Sequence, residues 1–476
     1  MNFIPTVALS TFFLASHVLA DAWPQLRGPN GSGIAEGSYA LPDRIGPGQN
    51  QRWVVNVPDG VSSPVVHGDQ VYLTGVRDES EFVTIALRTS DGSVAWESKV
   101  PVTAVEKTDK RPRGRLATPT PATDGTIVVS FFGSCGLVAH DARTGKQRWI
   151  HPMGPFNNTR GAAASPIIDN GRVYMLQDHE EGSFCAAWDL TTGKELWRSD
   201  RMLFSRSYMT PVIWRGKSHR PWLVLAGSGV VSFYDLESGQ PEWFAQGTAG
   251  VPNNAVPVVA DEHLIVAASN PGPKRSFQLK YPQLVEALDR DEDGRIQTAE
   301  IPAGFFASLF ALVDKEGDGN LSAEEYDVIQ ERLGTATNGM IGITPDGKGF
   351  DRSATNVSWH MSRSTPRISA PLYTKGHVYT VRDAGFFQAV NAKTGEPVKT
   401  GRLPGSGKYF SSPVLGDGKI YVADDRGTLT IIRPGADWEV ISSASFDEII
   451  YATPALSAGR IFVRTQTRLY RFGLDR

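Results

Sequence analysis

The chain has 476 residues and a formal charge of −3, so neither a basic nucleic-acid surface nor attraction to an anionic membrane is expected. Hydrophobic residues make up 40%, enough for a sizeable core, and 48 Gly with 31 Pro favour short strands and tight turns over long helices. Only Cys135 and Cys185 are present, too few for a disulfide framework, and both are expected as buried free thiols.

Residues 1–20 read as a secretory signal peptide. Ile4 to Leu19 is mostly apolar, and Val18-Leu19-Ala20 precedes a cut before Asp21. Export to the periplasm or the extracellular space is therefore expected. No later stretch is apolar over enough length to span a bilayer. No Cys stands directly after the leader, so lipid anchoring there is not expected. Residues 21–50 form an N-terminal extension.

From residue 51 the chain repeats. A small or apolar residue followed by Pro recurs at Ser63-Pro64, Thr120-Pro121, Ser165-Pro166, Thr210-Pro211, Val256-Pro257, Ala370-Pro371, Ser412-Pro413 and Thr453-Pro454. Each proline leads into a Gly turn and a strand, as at Gly171-Arg-Val-Tyr-Met-Leu and Gly418-Lys-Ile-Tyr-Val-Ala. A second strand then reaches an Asp-x-x-Thr-Gly turn and a Trp, complete in Asp141 to Trp149 and Asp189 to Trp197. Looser copies end at Trp96, Trp243 and Lys399. Four short strands per unit of about 45 residues describe a propeller blade, and eight Pro-marked starts predict eight blades. The last unit runs out at Phe472, one strand short, and Gln51–Val57 resembles the missing outer strand. Pairing the two would close the ring without an open edge.

These repeats resemble the pyrroloquinoline-quinone-like (PQQ-like) propeller family. The Ala-x-Asp-x-x-Thr-Gly-x-x-x-Trp segments match its tryptophan-docking motif, which implies that each Trp packs between neighbouring blades. The segment Trp23-Pro-Gln-Leu-Arg-Gly-Pro-Asn-Gly31 is similar to the start of exported bacterial members. The fold expected is all-β: an eight-bladed β-propeller of four-stranded blades, with a small helical insert in blade five. The closing strand and blades one to five fall in 51–276, the insert in 277–344, and the rest of the propeller in 345–476.

The insert carries two loops with the spacing of EF-hands. A calcium loop offers oxygen ligands from positions 1, 3, 5, 7, 9 and 12, with Gly at position 6 for the sharp turn. In residues 289–300 these are Asp289, Asp291, Asp293, the Arg295 carbonyl, Gln297 (directly or through water) and Glu300, with Gly294 at the turn. In residues 314–325 they are Asp314, Glu316, Asp318, the Asn320 carbonyl, Ser322 and Glu325, with Gly319 at the turn. Two Ca2+ sites are expected, and Glu316 departs from the usual Asp or Asn at position 3, which weakens the second. Ile296 and Leu321, at position 8, are placed to join the loops through a short β-bridge. Tyr281, Leu284, Val285 and Leu288 share one face of a helix entering the first loop. Phe305, Phe306, Leu309, Phe310 and Val313 do so between the loops, where the chain has room for one helix only. Tyr326, Ile329 and Leu333 follow the second loop. Pro302 fits only a first helical turn.

Catalytic chemistry is weakly marked. The family resemblance extends to quinone-dependent dehydrogenases, which hold their quinone against a disulfide of adjacent cysteines and keep their calcium beside it at the axis. Cys135 and Cys185 are 50 residues apart, no Cys-x-x-Cys-His is present, and both acidic loops are peripheral. PQQ is therefore not expected, and no catalytic residue is assigned. His179-Glu180-Glu181 reads as a solvated turn more readily than as a metal site, and Lys107 to Arg115, with five positive charges, as a solvated loop. The leading expectation is an exported calcium-binding propeller, monomeric, presenting a face to a protein, peptide or glycan. The alternative that the resemblance implies is scaffolding of outer-membrane-protein assembly, although the lipid-anchored relatives carry a Cys that is missing here. A quinone-dependent dehydrogenase ranks behind both.

Overall fold

The computed structural model describes residues 22–78, 81–103, 117–158, 161–216, 220–248, 255–269, 280–333 and 338–474. Residues 1–20, expected from the sequence as a signal peptide, and the charged run Lys107 to Arg115 lie outside them. Eight four-stranded antiparallel sheets are arranged as blades, six of them built from uninterrupted stretches of chain and a seventh interrupted by an insert. The eighth contains Ala455–Ser457, Arg460–Arg464 and Arg468–Phe472, and its outer strand is Gln51–Asn56 from the other end of the chain. Closing the ring in this way leaves no blade with a missing edge.

The position of a strand within its blade decides its composition. Middle strands such as Ile127–Phe131 and Trp222–Gly227 are buried at every residue, because neighbouring blades cover both faces. Outer strands such as Pro397–Arg402 are largely solvated. In all eight blades the ladder between the third and outer strands contains a register shift, the kind of bulge that re-aims a side chain. Just before it, Trp96, Trp149, Trp197 and Trp359 each face a small residue: Ala86, Ala139, Ala187 and Gly342.

These four tryptophans clamp blades one, two, three and five to the blade that follows. Trp96 donates its indole N–H to the Ala142 carbonyl at 2.8 Å, Trp149 to Leu190 at 2.9 Å, Trp197 to Leu236 at 3.0 Å and Trp359 to Ala392 at 3.0 Å. Each ring covers the turn glycine of the neighbouring blade, and a Cβ on Gly239 would fall 2.2 Å from Trp197. Gly239 also has φ +71°, a conformation that costs other residues energy. The motif needs its glycine twice over, once for the turn and once for the ring. Where Lys399 replaces the Trp, the clamp is reversed: Trp438 of blade seven points back and donates to the Lys399 carbonyl at 3.4 Å.

The N-terminal extension is a strap that visits the inner strands in turn. Trp23 exchanges two backbone bonds with Val66 of blade one, and the Pro24 carbonyl accepts from Thr123 of blade two. The Gln25 side chain accepts from Ile168 of blade three, and Asn30 bonds both backbone groups of Ile213 in blade four. Arg27 donates to the Pro371 carbonyl beside blade six, and Leu415 of blade seven bridges Gly33 and Ala35.

Blade five is interrupted between its second strand, His263–Ala268, and its third, Gly339–Ile343. That third strand lies within the stretch the sequence assigns to the insert. Its composition, Gly-Met-Ile-Gly-Ile, carries no turn motif to mark the return of the blade. Between the two strands stand helices α1 (Tyr281–Leu288), α2 (Phe305–Val313) and α3 (Ala323–Leu333). One helix separates the loops, as expected, but Pro302 precedes α2 rather than entering its first turn.

Candidate metal centre and axial cavity

The two acidic loops sit back to back. Ile296 pairs with Leu321 and Gln297 with Asn320 in a two-stranded antiparallel bridge. Ile296 and Leu321 are buried, and the Tyr281 hydroxyl donates to the Leu321 carbonyl at 2.6 Å, tying α1 to the second loop. Apolar residues fix the two loops to one another, leaving the polar positions free to face outward.

In the first loop, oxygens of Asp289, Asp291 and Asp293 lie within 4.8 Å of one another. Like charges this close repel, and backbone N–H groups offset part of the repulsion. Asp289 accepts from Gly294 at 2.8 Å and Asp293 at 3.2 Å, and Asp293 accepts from Arg295 at 2.8 Å. Glu300 accepts from Gln297 at 2.9 Å and Arg290 at 2.6 Å, and these N–H groups hold its carboxyl below the usual carboxylate range. The Gln297 amide donates to Asp291 at 3.3 Å and Asp293 at 3.0 Å, occupying the direction from which a cation would approach. A half-turn of the amide would present its oxygen instead. The set is all oxygen, suited to hard cations rather than thiolate-seeking metals.

In the second loop, Asp314 accepts from Gly317 at 2.8 Å and Gly319 at 3.2 Å, Asp318 from Asn320 at 2.8 Å, and Glu325 from Ser322 at 2.9 Å. Among the described residues Asp314, Glu316 and Asp318 do not form a second close carboxylate group. Asn320 lies in the bridged segment and Arg295 directly precedes its partner segment.

The insert is also docked on the propeller. Asp200 N–H donates to the Ala303 carbonyl at 3.0 Å, and Phe305 packs on Phe204 at 4.9 Å and on Phe244 at 5.4 Å. A Cβ on Gly304 would lie 2.3 Å from the Asp200 carbonyl, so glycine is what lets α2 approach blade three. Beneath this contact Arg201 stacks on Phe204 and forms a fully buried pair with Asp178.

His179 is a correction to the sequence reading. It is buried rather than solvated, stacked on Phe156 at 4.0 Å, and burial pulls its pKa down to about 4. Glu180 pairs with Arg206 at 3.2 Å. Among the described residues the two join no group of metal-binding side chains. Cys135 and Cys185 are free and buried.

A cavity of about 360 Å³ lies inside the ring of inner strands, with Leu26 of the strap among its lining residues. Six of the eight residues preceding the repeat prolines line it through hydroxyl-bearing side chains: Ser63, Thr120, Ser165, Thr210, Ser412 and Thr453. Repeat periodicity pointed to these positions, and the recurrence of Ser and Thr there was the signal of a polar axial ring.

Eight four-stranded blades, the last of them closed by a strand from the N-terminal side of the chain, define an eight-bladed β-propeller. The profile of a family described as outer membrane protein assembly factor BamB matches residues 48–216. The crystal structure of BamB from Moraxella catarrhalis is similar at a TM-score of 0.54 and 13% identity, over 89% of this chain and 99% of that one. The computationally designed Ika8 protein is similar at a TM-score of 0.54 and 8% identity, over 88% of this chain and 98% of that one. At these identities the likeness is one of fold. No curated protein matches the sequence. No helix among the described residues is long and apolar enough to cross a membrane.

Proposed function

We propose that the protein is an exported scaffold, a propeller that holds a protein partner on a loop face, with an EF-hand pair in blade five loaded with Ca2+. The observation that carries the metal reading is the convergence of Asp289, Asp291 and Asp293 within 4.8 Å, in a loop whose remaining ligand positions also bear oxygen. Exported proteins meet abundant calcium, and such sites are commonly weak, with Kd of ~10⁻⁴–10⁻³ M. The ion is then a fixture that orders the insert rather than a switch. Support for a scaffold comes from the fold, which offers a rigid ring with two loop-rich faces.

The particular scaffold role we favour is assistance to outer-membrane-protein assembly. The specific support is the family match at residues 48–216.

Calorimetric titration of the protein with CaCl2, beside a Glu300→Gln/Glu325→Gln double variant, tests the metal. Two sites in the parent and none in the variant are expected, the second site weaker. Absence of both heat and calcium-dependent thermal stabilisation would remove the metal from the proposal. The partner is tested separately with a urea-unfolded outer-membrane β-barrel polypeptide carrying a fluorophore. Saturable binding is expected, and none at all would overturn the assembly role.

A further inference from the structure

The axial cavity holds an arrangement of donors that the scaffold reading does not use. Around the ring, the N–H of one pre-proline residue donates to the hydroxyl of the next. Thr453 donates to Ser63 at 2.9 Å, Ser63 to Thr120 at 2.9 Å, Thr120 to Ser165 at 3.0 Å and Ser165 to Thr210 at 3.0 Å. On the other side Ala370 donates to Ser412 at 3.0 Å and Ser412 to Thr453 at 3.0 Å. Val256 and Ala370 break the circle between blades four and six, since neither side chain can accept.

A hydroxyl has one proton to give and two lone pairs to accept with. Each of the six oxygens therefore receives a backbone N–H and retains its own proton, and none donates to another group among the described residues. All six residues line the cavity. Backbone bonding thus fixes the hydroxyls in place and leaves a ring of unspent donors about the axis.

Charge adds to this. Arg367 and Lys408 line the same cavity and are exposed, marking its mouth. Among the described residues neither has an ion-pair partner. One carboxylate, Asp383, shares the lining, and it accepts from the Tyr409 N–H at 3.3 Å. Next to Leu26, Arg27 is fully buried, and its Nε and Nη1 find no acceptor. Burial lowers its pKa to about 9, so it remains a cation at neutral pH. Phe410 and Tyr451, edge to face at 4.5 Å, supply an apolar wall. The volume lies within the range of small-molecule sites.

We propose that the axial cavity binds a small organic oxyanion, a carboxylate or a phosphate ester. The hydroxyl ring donates to its oxygens, Arg367 and Lys408 neutralise its charge, and the aromatic wall covers its carbon body. The test is calorimetry of the intact protein with succinate and glycerol phosphate as the two oxyanion probes, and with sulfate and glycerol as the bare-ion and neutral controls.

At least one organic anion is expected to bind with Kd below ~1 mM and at least tenfold more tightly than sulfate or glycerol. Preference between succinate and glycerol phosphate separates a carboxylate from a phosphate source. An Arg367→Met/Lys408→Met variant, altered at exposed positions so that its melting temperature without ligand stays at the parent value, is expected to lose at least tenfold in affinity. No binding of either probe at ~10 mM, sulfate binding as tightly as both, or equal affinity in the variant would each overturn the proposal.

Discussion

Replacing Asp178 by Ala tests whether a buried charge pair within blade three holds the Arg201 side chain that reaches into blade four. Asp178 Oδ1 accepts from Arg201 Nε at 2.8 Å and Oδ2 from Nη2 at 2.9 Å, and both side chains are wholly buried. Nη1 also donates to Ser232 at 3.0 Å and Tyr234 at 2.7 Å. Burial pushes the Asp178 carboxyl up, while Arg201 beside it pulls it down. Burial works against the guanidinium too and is the largest single influence, but Asp178 together with Tyr234 and Cys185 outweighs it and holds Arg201 above its ordinary value.

Truncation removes two charge-assisted bonds and strands a cation that retains only the two hydroxyl acceptors. Breaking one side of such a pair costs about 3–5 kcal/mol, a large fraction of the ~5–15 kcal/mol of a typical domain. Equilibrium urea unfolding, followed by tryptophan fluorescence, should show the midpoint falling with the slope unchanged. An Asp178→Leu/Arg201→Met double variant should recover most of the loss, because apolar replacement of a whole buried pair is often near neutral. Arg201 also lies 3.8 Å from the Phe204 ring that receives α2. The single variant should therefore hasten proteolysis of residues 280–333 before global unfolding. A loss below ~1 kcal/mol, or a double variant weaker than the single, would refute the reasoning.

Two further outcomes follow from the clamp and from the docking of the insert. Trp197→Ala should cost about 3–5 kcal/mol, since the ring is buried against Gly239 and its N–H bonds Leu236; urea unfolding would reveal an indifferent site by an unmoved midpoint. Asp200 has its pKa raised by burial from 3.8 to about 6, so folding favours the protonated form. Its favourable contribution is complete below pH ~4 and is lost as pH rises through about 6. Asp200→Asn should then stabilise the protein at pH 7 by about 1–2 kcal/mol, allowing for partial exposure. Thermal melts at pH 5 and pH 7 that shift equally in parent and variant would count against this.

Much of the ring could be read from local chemistry. Asp141 to Trp149 and Asp189 to Trp197 each contain a turn that only Gly completes and a Trp that must be covered. The missing strand after Phe472 likewise pointed to Gln51–Asn56. The EF-hand-like spacing of oxygen-bearing residues in the two acidic loops was visible because positions in a continuous loop are a property of sequence. His179 was misread because its neighbours Glu180 and Glu181 suggest water, while Phe156, which stacks on it, and Asn158, whose amide lies 3.4 Å from its ring nitrogen, come from another segment. The end of the insert was obscure because Gly339–Ile343 resembles a blade strand only when His263–Ala268 lies beside it.

The sequence by itself determined the repeat, its number of blades and the spacing of the oxygen-bearing residues in both acidic loops, since each depends on residues within about one turn or one hairpin of one another. Tertiary structure alone decided which carboxylates converge, how Asp178 meets Arg201, and that six hydroxyls surround an axis. Ser63 and Thr453 are far apart in the chain but hydrogen-bonded in space. Contacts of that range depend on closure of the ring, and closure is a sum over all eight blades that no single segment encodes.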